Sequence, residues 1–247
     1  MKAFCTLLKN ELKLNIRNMN MVIFAVILPL AGLVILGLLY GTSPAADGVG
    51  YTFLEQSMGA LCSISICAGG LMGLPLVTAE YRERKILKRF RVTPISPGML
   101  LAVEFLIYVL YALVSLSLLL LVSWLGWGVH LRGSWGGFAL SWLLTVLSTL
   151  SIGMMAGGIA RNTKSASIIA CVLYFPMLIF SGATLPFEAM PETMQKIVRI
   201  FPMTQGIQLM KSAFLGLTAE SLALPIVVML GVTLACSGIA VKCFRWE

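Results

Sequence analysis

The chain has 247 residues, of which 59% are hydrophobic and 11% are charged, with a formal net charge of +8. Soluble domains average roughly half apolar and about a quarter charged residues, so this composition excludes a soluble globular fold. It predicts an all-α polytopic membrane protein. One histidine, His130, without CxxC or HxxxH spacing, predicts no metal site, and no disulfide framework is expected from six cysteines placed in predicted spans or at one membrane face.

Residues 1–20 predict a basic amphipathic helix that lies in the membrane interface. At about 100° per residue, its apolar side chains share one side, and its cations lie opposite: Phe4, Leu7, Leu8, Leu12, Leu14 and Ile16 against Lys2, Lys9, Lys13 and Arg17. Such a helix directs its cations toward anionic headgroups. The alternative is a solvated cytoplasmic tail.

Six apolar stretches are long enough to cross a hydrocarbon core of about 30 Å. They cover about 21–40, 54–78, 100–125, 138–160, 165–185 and 222–241. We expect Pro29 to kink the first span and Pro176 to interrupt the fifth. Small residues give the second and fourth spans faces for close helix contact: Gly69, Gly70 and Gly73 in one, Gly153, Gly157 and Gly158 in the other.

The loop at 79–97 separates the second and third spans and carries six cations, Arg82, Arg84, Lys85, Lys88, Arg89 and Arg91. Its cationic excess places it in the cytoplasm. The residues from Ala79 to Phe90 suit a helix, since Glu80 precedes Arg84 by four positions, and the prolines at 94 and 97 end it. A short charged helix with an apolar patch is typical of a docking element. The alternative is an ordinary positive-inside loop.

Charge fixes the predicted orientation of the whole chain. All lysines and arginines lie in segments on the side of this loop, apart from Arg132, Lys196, Arg199 and Lys211. Both termini are therefore expected in the cytoplasm, with 242–247 as a tail. Because the cations gather at one membrane face, we expect no nucleic-acid partner.

Glu104 lies about one turn inside the third span. An intramembrane carboxylate is a functional candidate because it is costly to place in hydrocarbon, and Arg89 or Arg91 could pair with it. The alternative is that Glu104 reaches the interface.

The segment 186–216 predicts two short helices, at 191–201 and 204–215, on the external side. Pro191 suits a first helical turn, and Met194, Ile197 and Phe201 recur at helical spacing. Each piece has about ten residues, too few to cross the bilayer. They are expected to be interfacial or re-entrant.

No catalytic motif is present: the chain has no Walker-type loop, GxGxxG, HExxH or GxSxG pattern. We therefore expect a transport subunit rather than an enzyme. A secondary transporter would bury several ionisable groups or show two matching halves with broken helices. The alternatives to an ATP-driven permease are a secondary transporter or channel, and a membrane scaffold or sensor component.

Two stretches carry a resemblance that covers nearly the whole chain: YRERKILKRFRVTPISPGMLL and FSGATLPFEAMPETMQKIVRIFPMTQGIQLMKSAFLG. The chain resembles the permease subunits of type-2 ATP-binding-cassette (ABC) exporters, close to the short daunorubicin-resistance-like bacterial branch. The resemblance implies a cytoplasmic coupling helix that docks on a separate ATPase subunit. Carried over by position, the contact candidates are Glu80, Tyr81, Arg82, Glu83, Arg84, Lys85 and Lys88.

The resemblance also implies the cofactor, the second permease, the location and the substrate class. Mg-ATP binds the partner ATPase, this chain holds no cofactor, and a second permease, a copy or a paralogue, completes the path in the bacterial cytoplasmic membrane. The short external helices cap the exit, and the substrate is an amphiphile such as a drug, an antimicrobial peptide or a lipid-like molecule. Spans one, two and five are expected to line the path through Phe24, Met58, Ser65, Phe175, Met177 and Phe180.

Overall fold

The computed structural model describes residues 2–17, 19–45, 48–86, 97–181, 191–217 and 223–243. Within these ranges the chain is a bundle of helices, and six are long and apolar enough to cross a membrane. The predicted all-α fold with six spans is confirmed. The helices are α1 Lys2–Arg17, α2 Met19–Tyr40, α3 Phe53–Glu83, α4 Pro97–Trp127, α5 Trp135–Ile159, α6 Thr163–Phe180, α7 Glu192–Val198, α8 Pro202–Leu215 and α9 Ala223–Cys243.

The prolines of α2 and α3 follow widened turns. A π-helical segment, Ile23–Ile27, ends just before the Leu28–Pro29 pair. A second one, Ala68–Gly73, ends just before Leu74 and Pro75. Since proline has no N–H to donate to the carbonyl four residues earlier, a wider turn relieves the crowding that an unbroken α-helix would impose.

Pro176 does not interrupt α6, so that prediction is wrong. The helix continues through Pro176 and ends at Phe180. An internal proline removes one backbone hydrogen bond, and a transmembrane helix tolerates this loss when its other bonds remain.

The centre of the bundle is the pair α3 and α5. In the most apolar stretch of α3, 72% of the residues are buried inside the bundle, and in that of α5, 61%. In the corresponding stretches of α2, α6 and α9, only 22% are buried. Part of the predicted small-residue faces forms this contact, because Gly153 lies against the backbone carbonyl of Gly70, and a Cβ at Gly157 would lie 3.1 Å from the Cα of Pro75. Gly69 and Gly73 lie instead against Tyr108 on α4. The glycines thus serve packing within one chain.

The second short helix, α8, is buried in the bundle, and its interfacial or re-entrant placement in the membrane stays a prediction. Ten of its 14 residues are buried, and Gly206 lies against the side chain of Thr145 on α5. At 1.5 Å per residue, Thr145 is about 15 Å along α5 from Trp135, so α8 reaches well into the depth of the bundle. Non-spanning backbone at this depth must be covered by protein, and α3 and α5 cover it.

The two ends of the bundle can be told apart by contacts. One end, here called the N-terminal face, contains α1, the end of α3, the start of α4 and the α5–α6 turn. The other end, here called the opposite face, contains residues 41–45 and 48–52, the α4–α5 loop and the end of α8. The backbone N–H groups of Arg132 and Gly133 both donate to the carbonyl of Phe214 at 3.0 Å, which joins two of these segments.

The first helix packs differently from the prediction. Its helical conformation is as expected, but the side facing the bundle contains Leu7, Glu11 and Asn15, which are at most 7% exposed. Leu14 and Ile16, from the predicted apolar side, are more than half exposed. Two polar residues are therefore buried against the other helices.

Candidate functional site

The charged helix predicted from Ala79 to Phe90 stops sooner than expected. Helix α3 stops at Glu83, and Arg84 and Lys85 form a turn in which Lys85 has φ 55°. The left-handed conformation ends the helix in the way that a C-terminal cap does. A single helix from Ala79 to Phe90 is therefore wrong. The contact candidate Lys88, and the predicted Glu104 partners Arg89 and Arg91, lie outside the described residues.

Glu80 and Arg84 form an ion pair that faces away from the bundle. The Arg84 Nη2 atom lies 2.8 Å from the Glu80 Oε1 atom, and the two side chains are 69% and 42% exposed in the order Arg84, Glu80. The spacing is the i,i+4 arrangement expected from the sequence. With Lys85, which is also exposed, this pair forms a charged surface at the N-terminal face.

Tyr81 turns the other way and joins three helices. Its hydroxyl lies 2.7 Å from the Oε2 atom of Glu11 on α1 and 2.8 Å from the Oε1 atom of Glu104 on α4. A phenol carries one proton, so Tyr81 donates to one of these carboxyl groups at a time. The amide of Asn15 donates to the carbonyl of Glu11 at 3.2 Å and lies 3.4 Å from Glu104. We call Glu11, Asn15, Tyr81 and Glu104 the tyrosine cluster.

Arg82 and Glu83 bind the turn between α5 and α6. The guanidinium of Arg82 donates to the carbonyl of Ala160, and also to that of Gly158 at 3.2 Å. The Glu83 carboxylate accepts from the backbone N–H of Thr163 at 2.9 Å and from the hydroxyl of the same residue. We call Arg82 and Glu83 the clasp.

The six described contact candidates thus fall into two groups. Glu80, Arg84 and Lys85 are exposed on the charged surface, whereas Tyr81, Arg82 and Glu83 bind this chain's own helices. A contact with an ATPase stays a prediction for all of them, including Lys88. The geometry assigns a separate, internal contact to the second group.

Glu104 is buried between helices, and its depth in the membrane stays a prediction. It is 1% exposed, and its described partners are Tyr81 and Asn15. Sequence reasoning missed Glu11 and Asn15 because they resemble the polar side of an amphipathic helix. The four-residue spacing of Leu7, Glu11 and Asn15 is the signal that they share one face.

The predicted path residues do not converge within one chain. Met58 and Ser65 are buried, at 0% and 2% exposure, and Met177 is buried as well. Phe24 and Phe175 are about half exposed, on α2 and α6. Phe180 is intermediate.

Ser65 has a structural partner instead. Its hydroxyl donates to the carbonyl of Ala25 at 2.5 Å, and Ala25 lies four residues before Pro29. Pro29 has no N–H and therefore cannot donate the helical hydrogen bond to this carbonyl. The hydroxyl of Ser65 donates to it instead.

The opposite face contains an ion pair that the sequence reading missed. The Arg132 Nε atom lies 2.9 Å from the Oε1 atom of Glu55, whose side chain is only 5% exposed. The other oxygen of Glu55 accepts from the backbone N–H of Thr52 at 2.8 Å, and the hydroxyl of Thr52 accepts from the N–H of Glu55. The T-x-x-E spacing is the signal for this capping box.

Among the described residues, no group of three or more histidine, cysteine, aspartate or glutamate side chains is placed to hold a metal ion. The carboxylates of the tyrosine cluster and of the opposite face are bound instead by hydroxyl, amide and guanidinium groups.

The order of spans, the buried short helix before the last span and the charged end of α3 are the features to compare with known proteins. The sequence profile of the ABC-2 type transporter family matches residues 2–215. The chain belongs to the ABC-2 type transporter family. The resemblance to type-2 ABC permeases is thus confirmed for the family, whereas the daunorubicin-resistance-like branch stays a prediction.

Two curated bacterial relatives show how far the similarity extends. The inner membrane transport permease YhhJ of Escherichia coli is 30% identical over 154 residues, which are 62% of this chain and 40% of that protein. The probable multidrug ABC transporter permease YbhS of Escherichia coli is 28% identical over 159 residues, which are 64% of this chain and 42% of that protein. The chain therefore spans less than half the length of these two relatives.

Proposed function

We propose that this ABC-2 protein is the membrane permease of an ATP-driven exporter and that a separate ABC ATPase supplies the energy. The N-terminal face is then cytoplasmic, and the ATPase docks on the charged surface of Glu80, Arg84 and Lys85 and on the following loop with Lys88. Family membership and the cationic charge of this loop support the proposal.

The length of α3 carries this proposal. Its 31 residues span about 46 Å at 1.5 Å per residue, which exceeds a hydrocarbon core of about 30 Å. This length is sufficient for the charged end to extend beyond the bilayer, where a soluble subunit can reach it. Because α3 is also the most buried span, a force applied at that end reaches the centre of the bundle.

A second permease and an amphiphilic substrate complete the proposal. Helices α2 and α6 expose large apolar side chains, among them Phe24 and Phe175. These faces can contact lipid, a second copy or paralogue, or the substrate. Aromatic and methionine side chains accommodate varied apolar molecules, which favours a drug, an antimicrobial peptide or a lipid-like molecule as cargo. A relative named a probable multidrug permease is consistent with this class.

The test is copurification followed by flux. The chain is expressed with candidate ABC ATPases, and inside-out vesicles are assayed with Mg-ATP for uptake of three fluorescent amphiphiles: a cationic dye, an amphipathic peptide and a short-chain phospholipid. We expect one ATPase to copurify and uptake of at least one probe to require Mg-ATP. Uptake driven by a proton or ion gradient without an ATPase would contradict the proposal and favour a secondary transporter.

A variant makes the test specific for the docking surface. Reversing the exposed pair, with Glu80→Lys and Arg84→Glu, keeps the net charge and the i,i+4 pair but inverts the local field. We expect weaker copurification of the ATPase and less Mg-ATP-driven uptake, while the permease itself stays folded. Unchanged copurification would place the docking surface elsewhere.

A further inference from the structure

Two adjacent side chains of α3 hold both sides of a single turn in another part of the chain. Arg82 donates to carbonyls of the last residues of α5, at Gly158 and Ala160, while Glu83 accepts from the first residue of α6, Thr163. These residues are about 80 positions apart in the sequence. The clasp therefore fixes the position of the α5–α6 turn relative to α3.

The order of the two charges matches the helix ends that they bind. The last carbonyls of a helix carry partial negative charge and its first N–H groups carry partial positive charge. Arg82 binds the carbonyl end of α5, and Glu83 binds the amide end of α6. Exchanging the two charges would set each against a dipole end of the same sign, so the pair recognises the orientation of this turn.

A small apolar joint lies beneath the clasp. Ala79, Ala160 and Ala166 are at most 1% exposed and form a cluster of their own, separate from the main core. Gly157 adds a close contact with Thr78. Small side chains on all three helices bring their backbones close together. Polar bonds and close packing thus join the same three helices at the N-terminal face.

Helix α6 is one of three peripheral spans, together with α2 and α9. Its spanning part is only 22% buried, and the contacts that it makes are mainly with α3. The N-terminal end of α6 is further ordered by Asn162 and Ser165, which form a reciprocal cap. The clasp thus adds polar bonds at the N-terminal end of α6, and the other contacts of α6 with α3 continue along the helix to the π-helical segment Ala68–Gly73.

We propose that Arg82 and Glu83 are positioning residues that make α6 and the end of α5 move together with α3 during the ATP cycle. They act through the α5–α6 turn and do not serve as ATPase contacts, in contrast to Glu80 and Arg84. This assignment rests on the proposed function, because it takes the force to enter at the charged surface. It extends that function by naming how the force reaches a peripheral span.

The test compares two double variants with identical chemistry. The clasp variant is Arg82→Ala with Glu83→Ala, and the surface variant is Glu80→Ala with Arg84→Ala, so each removes one arginine and one glutamate from the same turn of helix. Spin labels at Lys85→Cys and Lys164→Cys report the distance between the end of α3 and the start of α6. Both sites are exposed and outside the clasp. Because Lys85 belongs to the charged surface, ATPase affinities are compared between the unlabelled variants, and the labelled variants report distances only.

Labels are placed in a variant without reactive native cysteines, and distances are measured with and without the ATPase and Mg-ATP. With an intact clasp we expect one narrow distance distribution that Mg-ATP does not change. In the clasp variant we expect a broad distribution, already without the ATPase, and ATPase binding within about twofold of the original chain. The surface variant should keep the narrow distribution and lose affinity for the ATPase.

Two conservative variants keep the test decisive if the clasp variant does not fold. Glu83→Gln keeps an acceptor for Thr163, and Arg82→Lys keeps a cation but loses the fork that reaches two carbonyls. We expect Glu83→Gln to keep the narrow distribution and Arg82→Lys to broaden it.

The outcomes separate the two proposals. A narrow distribution in the clasp variant, or in Arg82→Lys, would overturn the positioning role. Loss of ATPase binding in the clasp variant equal to that of the surface variant would also overturn it and make these residues contacts. If the original chain bound no ATPase at all, the proposed function would fail, while the distances measured without the ATPase would still decide whether the clasp joins α3 to α6.

Discussion

The two ends of α3 are held in different ways. At the opposite face, Glu55 caps its own helix and pairs with Arg132, so both oxygens of one carboxylate are occupied at one site. At the N-terminal face, three successive residues, Tyr81 to Glu83, bind four other helices: α1, α4, α5 and α6. One end of α3 is therefore anchored at a single site, whereas the contacts of the other end are spread over four helices.

This difference predicts that the opposite face mainly stabilises the fold and that the N-terminal face mainly transmits movement of α3 to its neighbours. Arg132 also joins α3 to the end of α8, because its backbone N–H donates to the carbonyl of Phe214. A displacement of the N-terminal end must move its four neighbours or break their bonds. We therefore expect variants at the opposite face to change mainly stability, and variants at the N-terminal face to change mainly coupling.

The largest effect is expected between the two ends, where α3 meets α5. Gly153→Ala would place a Cβ against the backbone carbonyl of Gly70, which has no side chain that could move aside. Overpacking of this kind costs about 1–3 kcal/mol or more, and we expect little folded protein by size-exclusion chromatography. Gly231→Ala is the control, because nothing lies within 4 Å of that position. Equal yields of both variants would contradict the tight α3–α5 contact.

At the opposite face, Glu55→Ala removes both the cap and the ion pair. Loss of a helix cap costs about 0.5–2 kcal/mol, and the partner Arg132 loses its carboxylate as well, so we expect a destabilisation of about 2 kcal/mol. A lower melting temperature in detergent would show it. Thr52→Ser is the matched control, since it keeps the capping hydroxyl. ATPase binding should be unchanged, and a Glu55→Ala variant that melts normally but loses ATPase binding would refute the division between the two ends.

At the N-terminal face, Tyr81→Phe removes the hydroxyl between Glu11 and Glu104. Leaving buried polar groups without their donor costs about 1–3 kcal/mol, and we expect faster hydrogen exchange in α1. Tyr108→Phe is the control, because the hydroxyl of Tyr108 is buried without a hydrogen-bond partner among the described residues. Unchanged exchange in α1 after Tyr81→Phe would mean that packing alone holds this helix.

The smallest effect on stability is expected at the charged surface. Glu80→Gln removes an exposed i,i+4 pair worth about 0.2–0.5 kcal/mol, so the melting temperature should hardly change. Binding to the ATPase should weaken more at low salt than at high salt, because exposed charges are screened. A large loss of thermal stability would show that Glu80 supports the fold.

The spans could be predicted from the sequence because a bilayer permits few alternatives. Hydrocarbon requires long apolar helices, so length and hydropathy alone give six spans. The short helices before α9 could also be predicted, because apolar residues recur there at helical spacing over stretches too short to cross the bilayer. The cap at Thr52 was also readable, from its spacing to Glu55.

The site was harder to predict because it depends on contacts between distant segments. Glu11 resembles any solvated residue of an amphipathic helix until Tyr81, 70 positions later, is placed beside it. The end of α3 at Lys85 has no glycine or asparagine to mark it, and a left-handed lysine is uncommon. The path residues Phe24 and Phe175 lie on outer faces, so their role depends on a neighbour.

The orientation of the N-terminal face is the claim on which the account depends most directly. It is tested by Lys85→Cys in a cysteine-free variant, treated in intact cells with a thiol reagent that cannot cross membranes. We predict labelling only after the cells are permeabilised, because the proposed function places the charged surface in the cytoplasm. Labelling of Lys85→Cys in intact cells would place this surface outside, where no ATP-driven subunit could dock, and would contradict the account.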